Sequence, residues 1–162
     1  MNPTVLEPVQ LTHKANIDDQ LWSRVTARIR KDHEFQARFG HLDEKAQTQW
    51  SERIMNETLG FLELCSLRVG SFGPSELVDI GWHTFMLYSR GYMAFCEERG
   101  GFIHHEPNDV PGVQIVSNGP ADTAASMVVH GIIVDVELWP TANADCSAKS
   151  CDSGPAQNCT CS

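Results

Sequence analysis

The sequence predicts an all-α protein: a small orthogonal or antiparallel helical bundle that ends in a disordered, cysteine-rich tail. Apolar residues recur at helical spacing in several segments, and these segments start at capping residues and stop at glycines. The 162 residues, 41% hydrophobic and 20% charged, suit one globular domain with extensions. We therefore expect a flexible N-terminal arm over residues 1–15, a helical domain over residues 16–140 and a tail over residues 141–162.

Capping residues and glycines delimit the first helices. The first helix is expected to begin near Asp18, with Asn16 or Asp18 as its N-cap, and to run to about His33. The segment after it should end the helix or form a short turn that stops at Gly40. A long second helix is expected over residues 43–68, where apolar residues follow a plausible aspartate cap.

The third main helix is expected to begin at the Gly-Pro-Ser of residues 73–75 and to end at the glycine pair of residues 100–101. Proline in the first turn and glycine past the last turn are the usual asymmetry. Residues 77–95 are apolar on nearly every face, so this helix should be buried at the centre of the fold.

The predicted elements beyond the third helix are shorter than the helices before them. Residues 102–107 should be extended, because the residue before a proline avoids the helical region. After a loop over residues 107–120, a short helix is expected over residues 121–129, with Gly131 as its stop. Trp139 should pack back onto the bundle.

Charge and hydropathy exclude several classes of protein. A formal net charge of −9 argues against nucleic acid as a partner, because phosphate binding needs clustered Lys and Arg. No apolar run reaches the roughly 18 residues of a membrane span. The N-terminal residues do not resemble a secretory signal, so a cytoplasmic location with reduced thiols is expected.

Chemistry-bearing side chains concentrate in residues 78–107. Asp79 and His83 lie four apart on one helix face, so the carboxylate can orient the imidazole. Tyr92 and Cys96 repeat this spacing, and core packing would account for them as well. His104 and His105 lie in the extended segment and point to opposite faces, so one of them at most should reach inward.

A zinc or copper site is the functional interpretation of these residues. Its ligands would be His83, one of His104 and His105, and Cys96, since imidazole and thiolate suit both ions. Structural histidines would explain the same pattern. A third hypothesis, an enzyme with Asp79–His83 as a base pair and Cys96 as nucleophile, ranks lower because the third helix is so apolar.

Four cysteines lie close together in the tail: Cys146, Cys151, Cys159 and Cys161. Thiolates at such density can bind zinc or copper(I) without a prior fold. The serines and threonines between them also suit the precursor of a modified peptide. Two disulfides are a further possibility, which would require export from the cytoplasm.

The segment WHTFMLYSRGYMAFCEERGGFIHHEP carries a family resemblance. It is similar to the pattern W-H-x-H…Y-x-x-F-C…G-x-F-x-H-H-x-P of the glycine-rich-domain-containing-protein-like family, a domain of unknown function. The matching residues include Trp82, His83, Tyr92, Cys96, His104, His105 and Pro107, and Asp79 fits the acidic residue before the tryptophan. Phe85 replaces the second histidine of the pattern. The resemblance implies a helical domain of the short bacterial type, and it implies no established activity.

The leading hypothesis is therefore a small helical protein that binds a metal ion or a protein partner rather than a turnover enzyme. The helical domain would present His83 with His104 or His105, and the tail would supply thiolates. The alternative is a peptide precursor whose helical domain recruits modifying enzymes.

Overall fold

The computed structural model describes residues 10–107, 110–112 and 118–140, and the backbone of residues 160–161. Six α-helices form the fold within these residues, which confirms the all-α prediction. They are α1 (Asp19–Ile29), α2 (His33–Phe39), α3 (Glu44–Ser66), α4 (Glu76–Leu87), α5 (Ser89–Glu97) and α6 (Pro120–Val129). Short 3-10 helices cover Lys14–Asn16 and Val136–Leu138.

Short polar side chains start four of these helices, because each satisfies backbone N–H groups that have no partner inside the helix. Asp18 caps α1, Asp43 caps α3 and Ser75 caps α4. The predicted first helix is wrong at its end: it stops at Ile29, and Asp32 caps a separate α2. Asp32 follows the last residue of α1 by three positions and caps a new helix, which explains why the predicted single helix is two helices.

The core lies between α3 and α4, and α1 packs against both. Most of α3 is buried from Ser51 to Cys65. Gly81 of α4 makes this crossing possible, since a Cβ atom there would lie 2.0 Å from Thr58 Oγ1. The helices therefore approach closely enough to bury a continuous apolar cluster around Trp82.

The predicted third helix is wrong in one respect, because it is broken in two. Tyr88 has φ −91° and ψ 60°, which ends α4 and allows α5 to start in a new direction. Gly91 of α5 then packs onto Leu21 of α1, where an added Cβ would lie 2.5 Å from Leu21 Cδ2. The contact with α1 thus follows a turn that periodicity alone does not reveal.

The segment after α6 closes the bundle as predicted. Gly131 has φ +77° and follows the end of α6. Leu138 and Trp139 are then buried against the core. Trp139 Nε1 donates a hydrogen bond to Glu57 Oε1 of α3 at 2.6 Å.

The N-terminal residues that the structure describes are packed. Leu11 contacts the core, and the His13 N–H donates to Asn56 Oδ1 of α3 at 2.8 Å. Residues 10–15 therefore differ from the predicted flexible arm. The rest of that arm lies outside the described residues.

Two short strands complete the fold. The extended segment after α5 contains β1 (His105–Glu106), which pairs antiparallel with β2 (Thr160–Cys161). The remainder of the predicted tail lies outside the described residues. None of the helices in the described ranges combines the length and the apolar character that a membrane span requires.

Candidate functional site

Asp79, His83 and His105 form one cluster. Asp79 and His83 lie on successive turns of α4, and β1 brings His105 to the same carboxylate. Asp79 Oδ1 lies 3.1 Å from His105 Nε2, and Asp79 Oδ2 lies 3.7 Å from His83 Nδ1. The two imidazole rings are 4.4 Å apart between centroids. The carboxylate therefore bridges two histidines that are 22 residues apart in sequence (105 minus 83).

A buried tyrosine decides which histidine reaches this carboxylate. The Tyr92 hydroxyl donates to the Ile103 carbonyl at 2.5 Å and accepts a hydrogen bond from Trp82 Nε1 at 3.0 Å. Ile103 is thereby held in the core, and alternation along the extended chain places His105 on the same side. His104 is exposed on the opposite side, against the ring of Phe102. His105 is thus the inward residue of the predicted pair.

The cluster is closed on one side and open on the other. The His105 side chain is 8% exposed and the Asp79 side chain 24%, and the Trp82 ring packs 4.2 Å from the His105 ring. His83 is 52% exposed at its side chain. Two of the three polar groups are therefore held by packing, and the third faces solvent.

A cavity of about 940 Å³ adjoins the cluster at Asp79. It lies between α2, the first turns of α4 and α6, and residues 137–140. Asp79 lines its wall, together with Trp139 and the ion pair between Arg38 and Glu76. Asp79 therefore belongs both to the cluster and to the wall of this cavity.

The spacing of the three side chains suits a metal ion. In a tetrahedral zinc site with bonds of about 2.0–2.1 Å, neighbouring ligand atoms lie about 3.3 Å apart. Asp79 Oδ1 lies 3.1 Å from His105 Nε2 and the other oxygen, Oδ2, lies 3.7 Å from His83 Nδ1. One ligand atom from each of the three residues lies within 4.8 Å of the other two. Two imidazoles and one carboxylate also form a common donor set for zinc, copper and iron. The residues present therefore fit a transition metal, with at least one position left for another ligand.

The other predicted site residues lie apart from this cluster. Cys96 is free and fully buried, and burial is the main reason that the pKa of its thiol is raised. Phe85, at the position of the motif's second histidine, packs edge-on against Tyr92 and Phe95 in the core. Pro107 follows β1 and is exposed. Trp82 and Tyr92 thus support the cluster, whereas Cys96 takes no part in it.

Most of the tail cysteines lie outside the described residues. Cys146, Cys151 and Cys159 lie outside the described residues, and Cys161 is described in its backbone alone, opposite His105. Cys65 of α3 is disulfide-bonded, with a partner outside the described side chains. The general expectation of reduced thiols is therefore wrong at Cys65.

A buried polar network on α3 was missed from the sequence. Glu57 is 1% exposed and accepts hydrogen bonds from Trp139 Nε1 and from the Asp135 N–H. One turn earlier, Arg53 donates to both carboxylate oxygens of Asp135, at 2.7 and 2.9 Å, and to Glu137. One sequence feature could have indicated this network: Arg53 and Glu57 lie four residues apart, on one face of the helix, within the apolar stretch of α3.

Comparison with known proteins places the chain in a family without supplying a function. No curated protein and no solved structure matches it. The sequence profile of one uncharacterised family matches residues 15–119, which include all of α1 to α5 and the whole Asp79–His83–His105 cluster. Because this match covers more than half of the chain, the protein belongs to the UCP032817-like family.

Proposed function

We propose that the protein binds a divalent transition metal, zinc or copper, through Asp79, His83 and His105. One observation carries the proposal: three ligand atoms from two separate elements lie within 4.8 Å of one another. The donor set is one that both metals accept. A metal held there would tie β1 to α4 and so stabilise the folded chain.

The packing around the cluster supports this function over an ordinary surface hydrogen bond. A helix-surface pair would need only Asp79 and His83. Here a second imidazole, His105, is buried beside the same carboxylate, and the Tyr92–Ile103 hydrogen bond fixes its position. Ligands held by packing and by hydrogen bonds lose less entropy when a metal binds.

Calorimetric titration of the chelator-treated full-length protein with zinc tests the proposal. We expect one ion per chain, and we expect binding to weaken as the pH falls because the imidazoles must be neutral. His105→Ala should weaken binding more than about 100-fold, since even residues that only orient a ligand are worth about 10- to 100-fold.

His104→Ala is the matched control for this experiment. It removes an imidazole one residue away that is exposed and outside the cluster, so it should leave the affinity within about threefold of the original. Equal losses in the two variants, or no zinc binding by the unaltered protein, would refute the proposal.

Three other sequence hypotheses stay predictions. The modified-peptide precursor concerns residues outside the described ranges. The resemblance to the glycine-rich-domain-containing-protein-like family, and the cytoplasmic location, also stay at the level of the sequence. The enzyme hypothesis receives no support, because the buried Cys96 thiol has a raised pKa and does not adjoin the Asp79–His83 pair.

A further inference from the structure

We propose that the cavity beside Asp79 binds a linear polyamine, an organic cation whose ammonium groups are separated by short methylene chains. The cavity has a volume of about 940 Å³, and sites for small molecules occupy about 300–1,000 Å³. It lies between α2, the first turns of α4 and α6, and residues 137–140. Polyamine binding in this cavity does not require a metal at Asp79.

The charge of the wall selects a cationic ligand. Its described residues include four carboxylates: Glu34, Glu76, Asp79 and Glu137. Arg38 is the one arginine or lysine among them, so the wall has a formal charge of −3 (four carboxylates and one guanidinium, with His33 neutral). Arg53 is not on the described wall but contacts Glu137, and Asp135 already pairs with the same guanidinium. The cavity therefore attracts cations and repels anions.

The placement of the carboxylates favours an extended cation over a metal ion. They come from α2, from α4 and from the 3-10 helix Val136–Leu138. Within the described residues, the one group of three side chains close enough to hold a metal is Asp79 with His83 and His105. Separated carboxylates suit a ligand with several ammonium groups, whereas a metal ion needs ligand atoms around one point.

Apolar side chains also line the cavity and suit the methylene chains of a polyamine. They are Pro74, Leu77, Pro120, Leu138, Trp139 and Pro140. The hydrogen bond from Trp139 Nε1 to Glu57 Oε1 holds the indole in place before any ligand binds. A pre-formed wall of apolar side chains with a few charged groups is the usual composition of a small-molecule site.

Titration calorimetry of the chelator-treated full-length protein with spermidine, a linear triamine, tests the proposal. Salt at about 150 mM screens non-specific attraction to the acidic protein. We expect one spermidine per chain. Glu34→Gln combined with Glu76→Gln should weaken binding about tenfold, roughly a factor of three for each exposed charge pair.

Glu97→Gln combined with Glu98→Gln is the matched control. It also removes two exposed carboxylates, one of which pairs with an arginine, but both lie outside the described wall. Binding should therefore stay within about twofold of the original. Arg38→Gln should act in the opposite direction and tighten binding about threefold, because it removes the guanidinium that pairs with Glu76.

Nuclear magnetic resonance locates the ligand. Spermidine should shift the indole N–H resonance of Trp139, which lines the cavity, and leave that of Trp22, which is not on the described wall. Trp139→Phe assigns the resonance. A shift at Trp22 without one at Trp139 would place the ligand elsewhere and overturn the proposal.

Three calorimetric outcomes would also overturn it. One is the absence of saturable binding up to about 1 mM spermidine. Another is an equal loss of affinity in the two double variants, which would show attraction to the net charge of the protein alone. The third is a tetralysine peptide that binds at least about tenfold more tightly than spermidine, which would indicate a protein segment as the ligand.

Discussion

Replacement of Glu57 by glutamine should change how the stability of the protein depends on pH. Glu57 is 1% exposed, and its pKa is raised from 4.5 to about 7. Burial is the largest cause, and the nearby Asp135 carboxylate adds to it. Hydrogen bonds from Trp139 and from the Asp135 backbone, and the charge of Arg53, act in the opposite direction.

The sign and size of the effect follow from proton linkage. The unfolded chain releases this proton near pH 4.5, whereas the folded protein holds it up to about pH 7. Between these values the folded state binds more protons, so its stability falls as the pH rises. A pKa difference of about 2.5 units, at 1.36 kcal/mol per unit, corresponds to a loss of about 3 kcal/mol.

Glutamine stays neutral throughout and should not lose this stability. The free energy of unfolding of Glu57→Gln, relative to that of the unaltered protein, should therefore rise by about 3 kcal/mol between pH 4.5 and pH 8. Urea unfolding followed by circular dichroism measures it, with Glu44→Gln as the control for loss of an exposed carboxylate from the same helix. A difference that stays constant across this range would refute the reasoning.

Three further changes test the packing. Gly81→Ala should destabilise the fold by about 1–3 kcal/mol in chemical unfolding, because its Cβ would lie 2.0 Å from Thr58 Oγ1; an equal cost in a Thr58→Ala background would contradict this cause. Tyr92→Phe should cost about 1–3 kcal/mol and weaken zinc binding, since the Ile103 carbonyl loses its partner; unchanged zinc affinity would show that this hydrogen bond does not position the site. Cys96 should react with a thiol reagent only on unfolding, because it is buried and its thiol pKa is raised. Rapid reaction of Cys96 in the folded Cys65→Ser variant, which lacks the disulfide of Cys65, would contradict that.

Local signals predicted most of the helix boundaries. Asp18, Asp43 and Gly131 mark ends that the structure reproduces, because capping depends on residues close in sequence. The break at Tyr88 has no such local signal, and beyond it α5 packs Gly91 against Leu21 of α1. A tertiary contact of this kind leaves no trace in helical periodicity.

The sequence likewise predicts part of the candidate site and leaves the rest open. The spacing of Asp79 and His83 places them on one face of a helix, and the structure has them there. The choice between His104 and His105 was open, because an extended chain presents both faces equally. The Tyr92–Ile103 hydrogen bond makes that choice, and it joins residues whose contact only the folded chain reveals.

A crystal structure of the reduced, zinc-loaded protein, with data collected on both sides of the zinc absorption edge, tests the metal site most directly. We predict one anomalous peak per chain, about 2.0–2.3 Å from ligand atoms of Asp79, His83 and His105. No peak at this cluster, or a peak bound by other residues alone, would contradict the account.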